Sequence, residues 1–382
     1  MTVDRVVLDA GGQAPVLPAA RDAFLAALDE GWADPRRLHS EGRRARALLD
    51  GAREALAAAV GARTEEVDLA PSHTAALHTA VSTVALGRRR VGADVVVSAV
   101  ERAAVLHAAD FAATRGGGRR VTVPVARSGR VDDEAFAAAV ARPGVALAAL
   151  QHANGEVGTL QPVETAYDTA RAAGVPLLVD AGASLGHVPV GDAWDLLAAN
   201  PGDWGGPSGL GVLVVRAGVR RSPDRPSDED RWFPGGVSVP AALAAAVALQ
   251  TALADQAAAD QERRSLVGHL RARIPAEIED VDVAGPDEGR LPHVLTFSCL
   301  FVDGEAVVGA LDAAGFAVGS GSACTSSTLE PSHVLTAMGV LTHGNVRIAL
   351  PRGTRAADVD RFADVLPGII RSVRARLGVS DL

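Results

Sequence analysis

Lysine is absent from this chain: all 37 basic residues among its 382 are arginine. That absence excludes every reaction that needs a side-chain primary amine, because a guanidinium stays protonated and cannot serve as an amine nucleophile. The abundance of alanine, glycine, arginine and valine points to a GC-biased coding sequence. Such a bias accounts for lost surface lysines but does not ordinarily clear a catalytic one. Aromatic residues are 3% of the chain, so the core must be aliphatic. The two cysteines, Cys299 and Cys324, are too few for a disulfide framework. No apolar run reaches the roughly 20 residues of a membrane span. The start, MTVDRVVLDAGG, lacks a signal-peptide pattern. A net charge of −9 with scattered arginines lacks the basic stripe that direct nucleic-acid contact wants. A cytoplasmic protein with reduced thiols is expected, with no membrane or nucleic-acid partner and no metal site.

What is present is ample apolar content, 48%, on a chain longer than one typical domain. Ser40 is positioned to cap a helix through SEGRRARALLDGAREALAAAVGA. Short apolar runs follow: VVVSAV, VTVPV, VALAAL, VPLLVD ending at Asp180, and LGVLVV, with helical stretches between most of them. Buried β runs alternating with helices predict an α/β fold with a mostly parallel sheet covered on both faces. Ligands on such sheets sit beyond the carboxyl ends of the strands, which places Asp180 toward a site. The polar segment 217–233 reads as an exposed loop, followed by one long alanine-rich helix over about 240–273. The remainder, with strands LTFS and NVRIAL, helix GEAVVGALDAAG and a last helix from about 356, reads as a compact α+β unit. The expected division is a large domain over 15–250 and a small one over 251–382 joined by 1–14.

The most specific stretch is GSGSACTSSTLEPSHVLTAMG, residues 319–339. A cysteine in a small-residue loop followed by PSHVL and a helix resembles the active-site loop of the cysteine desulfurases, in the class V aminotransferase group of fold-type I pyridoxal-phosphate proteins. The likeness extends through VLDAGGQAPV, NGEVGTLQPV and LLVDAGASLGHVPV, nearly the whole chain. It implies a fold-type I aminotransferase-like architecture and a homodimer. It also implies that Cys324 accepts sulfur as a persulfide and hands it to an acceptor protein. A thiolate is a good nucleophile and leaving group, and flanking glycine and serine suit a thiol that must move. Cys299, inside an apolar strand, reads instead as an inert core thiol.

By the same resemblance Arg347 clamps a substrate carboxylate, a task that suits a planar bidentate donor. Asn154 belongs to the substrate-side segment, Asp180 pairs with the pyridine nitrogen, and Thr74 lies in the phosphate-binding turn. Other positions depart from the family. Arg102 stands where a histidine stacks on the cofactor ring, and Ala183 where a glutamine meets the ring oxygen. Gly202 and Asp203 stand in place of the histidine and the Schiff-base lysine, just ahead of GGPSGLG. The bland reading of Asp203 is an ordinary turn aspartate.

The pattern suggests a sulfur-transfer protein with a vestigial cofactor pocket and no covalently bound cofactor. The alternatives are a cysteine desulfurase with non-covalent pyridoxal phosphate, and a non-enzymatic scaffold in a sulfur-transfer system. One consequence holds for all three. Borohydride reduction with pyridoxal phosphate is expected to fix no phosphopyridoxyl group on any internal peptide, as read by peptide mass mapping; an internal adduct would overturn the alignment and its chemistry together.

Overall fold

The computed structural model describes residues 5–226, 230–320, 331–376 and Gly378. A two-residue strand, β1 (Val6–Val7), precedes helices α1 (Pro18–Glu30) and α2 (Ser40–Ala59). Strand β2 (Val67–Ala70) and helix α3 (His73–Gly87) open an alternating run: β3 (Asp94–Ser98), α4 (Ala103–Gly116), β4 (Arg120–Val123), α5 (Asp133–Val140), β5 (Val145–Gln151), α6 (Val163–Ala172) and β6 (Leu177–Asp180). Strands β7 (Leu196–Ala199) and β8 (Gly211–Val215) complete a seven-stranded sheet of order β2-β8-β7-β6-β5-β3-β4. Strands β4, β3, β5, β6 and β7 run parallel, and β8 is antiparallel to both of its neighbours.

The alternation of side chains along each strand explains why these runs are apolar throughout. On β5, Ala148 and Leu150 join one buried cluster while Leu147 and Ala149 join another. Leu178 and Val179 on β6 divide the same way, as do Leu213 and Val214 on β8. Both faces are therefore dry, as a parallel sheet wrapped by helices requires. The registers set Gln151 beside Asp180 and Asp180 beside Ala198, so the ends of three central strands meet at one level.

Helices α7 (Val239–Ala254) and α8 (Gln256–Glu277) follow, then β9 (Val281–Ala284), β10 (Val294–Cys299), α9 (Gly304–Ala313), β11 (Phe316–Ala317), α10 (His333–Met338), β12 (Asn345–Ala349) and α11 (Ala356–Arg376). Strands β12, β10 and β9 form an antiparallel sheet. Its cluster gathers Leu270 and Ile274 of α8, Leu311 of α9 and Phe362 and Ile370 of α11. Strand β1 pairs in parallel with β11, so the N-terminal segment lies with these C-terminal elements.

Three expectations are corrected. Ser40 is the first helical residue of α2; His39 is the cap, its Nδ1 accepting from Gly42 N at 3.2 Å. The long alanine-rich helix is two helices bent by 72° at Asp255, because α7 is buried along its length while α8 turns its apolar stripe to the smaller sheet. Segment 217–233 is not uniformly exposed. Phe233 is buried, and Arg221 lies over the Trp232 ring while pairing with Asp68. No single helix among the described residues is long and apolar enough to cross a membrane.

Strand β8 begins against the turn that starts α3. A Cβ placed on Gly211 would lie 2.3 Å from Ser72 O. Gly211→Ala is therefore expected to cost about 1–3 kcal/mol by overpacking, measured as a lowered urea midpoint at unchanged m-value.

Candidate active site

At the carboxyl end of β6, Asp180 is 4% exposed and both of its oxygens are engaged. Oδ1 accepts from Gly182 N at 2.8 Å and lies 3.0 Å from His73 Nε2. Oδ2 lies 3.2 Å from Arg102 Nε. Local sequence explains the convergence. Ser72 caps α3 through Ala75 N, which sets His73 at the first helical position, and Arg102 stands at the start of α4 just beyond β3. Gly182 is required there, since a Cβ would sit 2.3 Å from His73 Cε1. Burial pushes the Asp180 carboxyl up. His73, Arg102 and the Gly182 amide outweigh it and hold the group well below the usual carboxylate range.

Asp203 lies in a short 3-10 turn, Pro201–Trp204, that follows β7. Its Oδ1 accepts from Gly12 N at 2.8 Å and its Oδ2 from Asn200 Nδ2 at 2.6 Å. Asn200 Nδ2 also donates to Gly12 O at 2.8 Å, and Ala14 N donates to Gly202 O at 2.7 Å. The N-terminal segment is thus strapped to this turn. Gly202 faces the strap so closely that a Cβ would meet Gln13 Oε1 at 2.6 Å and Gly12 O at 2.9 Å. Burial pushes the Asp203 carboxyl up, against the opposing pull of Arg102, the Gly12 amide, His73 and Asn200. Beneath the turn, Trp204 is buried and donates from Nε1 to Ala245 O.

A third carboxyl, Glu101, is fully buried beside this pair. Its Oε1 accepts from Gln151 N at 2.6 Å, and its Oε2 has no partner among the described residues. Burial, then the negative charge of Asp180, pushes it up to about 8.

The remaining expected residues divide by environment. Asn154 is buried, and its amide serves its own turn: Oδ1 accepts from Glu156 N and Val157 N, and Nδ2 donates to Val100 O. Ala183 is buried, while Thr74 is exposed on the first turn of α3. Arg347, on β12, approaches Asp9 Oδ1 with Nη2 at 3.2 Å, and its buried Nε has no partner among the described residues. Near it Glu156, which accepts from Ser332 Oγ at 2.8 Å, is pushed up to about 7 by burial against the pull of Ser332 and Arg347. Cys299 is buried and its thiol is pushed up to about 11 by burial. Cys324 lies outside the described residues.

The structure therefore brings Asp180, Arg102 and Asp203 into one electrostatic cluster. His73, Glu101 and Asn200, which sequence reasoning passed over, complete it. For His73 a signal existed: a histidine between a capping serine and Thr74 starts a helix at the level of the strand ends.

The raised group gives a pH test. Glu101 holds its proton in the folded state between its ordinary value near 4.5 and about 8. Stability is then lost as pH rises through that window. Glu101→Gln is expected to remove this loss, so the wild-type minus variant difference in unfolding free energy should shift by on the order of 3 kcal/mol between pH 5 and 8. A difference that is flat with pH would show that Glu101 titrates normally.

Comparison with known proteins follows the same lines. The profile described as Aminotransferase class-V matches residues 6–362. A protein named cysteine desulfurase from Cereibacter sphaeroides is 35% identical, covering 98% of this chain and 97% of its own. Cysteine desulfurase IscS from Dictyoglomus turgidum is 32% identical, covering 97% and 95%. Among solved structures, a NifS-like protein superposes with a TM-score of 0.89 at 24% identity, covering 96% of this chain and 100% of its own. DndA from Streptomyces lividans superposes with a TM-score of 0.77 at 27% identity, covering 91% and 99%.

Proposed function

Because the chain belongs to the class V aminotransferase family, with cysteine desulfurases among its relatives, we propose that it is a sulfur-transfer protein that carries sulfur as a persulfide on Cys324 and forms no Schiff base with pyridoxal phosphate. The observation that carries this reading is the double engagement of Asp180. The group that would face a pyridine nitrogen has one oxygen on Gly182 N and beside His73 and the other beside Arg102. The position that would supply the amine holds instead a carboxylate tied to Gly12 and Asn200. A carboxyl group there cannot form a Schiff base, and no lysine exists elsewhere in the chain to replace the missing amine. These residues do not fit the cofactor.

On this reading sulfur arrives already activated. The Cys324 thiolate attacks the terminal sulfur of a donor persulfide; the new S–S bond forms as the donor's breaks, and the donor thiolate leaves. An acceptor thiolate later repeats the exchange on Cys324. Both steps conserve electrons and need no oxidant. The donor and the acceptor are proteins, and the working unit is a homodimer. Cys299, with its raised pKa and full burial, takes no part.

One observation favours a second reading. The buried, unpartnered Nε of Arg347 suits a carboxylate, as free cysteine would present. Desulfuration with non-covalent pyridoxal phosphate would use it.

The protein should acquire a mass increment of one sulfur on the Cys324 peptide when incubated with a persulfide-bearing cysteine desulfurase and L-cysteine. It should acquire none with L-cysteine and pyridoxal phosphate alone, and Cys324→Ser should abolish the increment. Sulfide release from cysteine and free pyridoxal phosphate, lost in Arg347→Gln, would establish the second reading. No persulfide under any of these conditions would leave a scaffold role. Brief alkylation at pH 8 should label Cys324 well before Cys299; the reverse order would remove Cys324 from the proposal.

A further inference from the structure

Away from the Asp180 cluster, buried donors without acceptors concentrate where α8 crosses the turn after β6 and the entrance to β10. Arg263 of α8 is 1% exposed, and Arg290 and His293, ahead of β10, are each 3% exposed. The imidazoles of His187 and His293 stack with centroids 4.0 Å apart. Arg263 Nη1 donates to His187 Nδ1 at 2.9 Å, and His187 Nε2 donates to Asp203 O at 2.9 Å, which fixes the His187 tautomer. Arg352, just past β12, donates from Nη2 to Gly186 O and Ala252 O.

These bonds leave four buried nitrogens with no hydrogen-bond partner among the described residues: Arg263 Nη2, Arg290 Nε, Arg352 Nε and His293 Nδ1. The carboxylates that act on Arg263 are Asp260, Asp255 and the exposed Glu262, and Asp287 acts on Arg290, but none of them bonds the four nitrogens. Asp255 pairs with Arg352 Nη1 at the rim, where the carboxylate is 58% exposed. Asp260 pairs with Arg264, and Asp287 with Arg271. Guanidiniums keep their protons at neutral pH. Burial pushes Arg263 and Arg290 down, but only to about 10. The imidazoles yield instead: burial, then the neighbouring Arg263, pushes His187 down to about 3. A buried charge left without a counter-charge is strongly unfavourable. Water could meet the hydrogen bonds but would leave the positive charge in place.

We propose that this cluster is a buried binding site for a small inorganic monoanion of the chloride class, held by Arg263, Arg290, Arg352 and His293. Arg263, Arg352 and Arg290 all act on His293, which itself stacks on His187, so the cations share one centre; a small monatomic ion demands the least room among such packed side chains. The ion would tie α8, the β6 turn, the β10 entrance and the segment after β12 to one centre. Through His187 it would also brace the backbone of Asp203.

The test uses the whole wild-type protein. Its melting temperature is compared in sodium chloride and sodium gluconate at equal ionic strength and pH, and crystals grown in bromide are examined for anomalous signal. Chloride should raise the melting temperature by roughly 2 °C or more, saturably. Preferential exclusion would favour gluconate, so the sign separates binding from a general salt effect. Bromide should give an anomalous peak in contact with Arg263 and His293. Arg263→Met should lose the chloride dependence; if that variant does not fold, the wild-type bromide map decides alone. Equal melting in the two salts, or bromide found only at the surface, would overturn the site and assign the cluster to water.

Discussion

The carboxylate of Asp203 is buried where the large sheet meets the N-terminal segment, and it is tolerated there because Gly12 N–H and Asn200 Nδ2 both donate to it. The arrangement works in both directions. The donors solvate the carboxylate, and the carboxylate fixes the strap that runs from β1, itself paired with β11 in the smaller unit. Ala14 and Leu17 extend the attachment through backbone bonds to Gly202 and Gly205. A single residue thus links the end of β7 and the strap through its side chain and, through its backbone carbonyl and His187, helix α8.

Charge balance follows from that placement. Glu101 lies within electrostatic reach of Asp180, and Arg102 and His73 act on both Asp180 and Asp203. Asp180 takes the larger share and stays ionised; Glu101, with only the Gln151 and Arg102 amides and a distant guanidinium to help it, keeps its proton. Most polar atoms of the cluster are mutual partners, but Glu101 Oε2 has no hydrogen bond among the described residues, and neither does Arg347 Nε nearer the smaller sheet.

The scaffold was legible because burial leaves a strong mark. Strand β5 up to Leu150 and strand β8 carry no polar side chain since both faces are covered, and Asp180 ends the run of β6. Strand β7 escaped because LLAA is short and has no helical stretch ahead of it. The bend at Asp255 escaped because alanine suits both helices and nothing local marks the break. At the site, Asp180 and Asp203 were visible as positions, but their partners were not. Gly12 donates to Asp203 through its backbone from 191 residues away, and His73 meets Asp180 across a long sequence separation, so neither pairing is written in a local pattern. Asn154 was legible as a position; its Oδ1 closes its own turn while its Nδ2 reaches Val100 O.

Gly202 lets the strap lie directly on the turn. Any side chain at that position would push on Gly12 O and Gln13 Oε1, so the strap must first be moved. A lysine at 203 would release the Gly12 amide and the Asn200 amide together, and would set a cation near Arg102 and His73. The strap and the turn are therefore one mechanical unit: a substitution at 202 or 203 acts on the placement of the N-terminal segment as much as on the site.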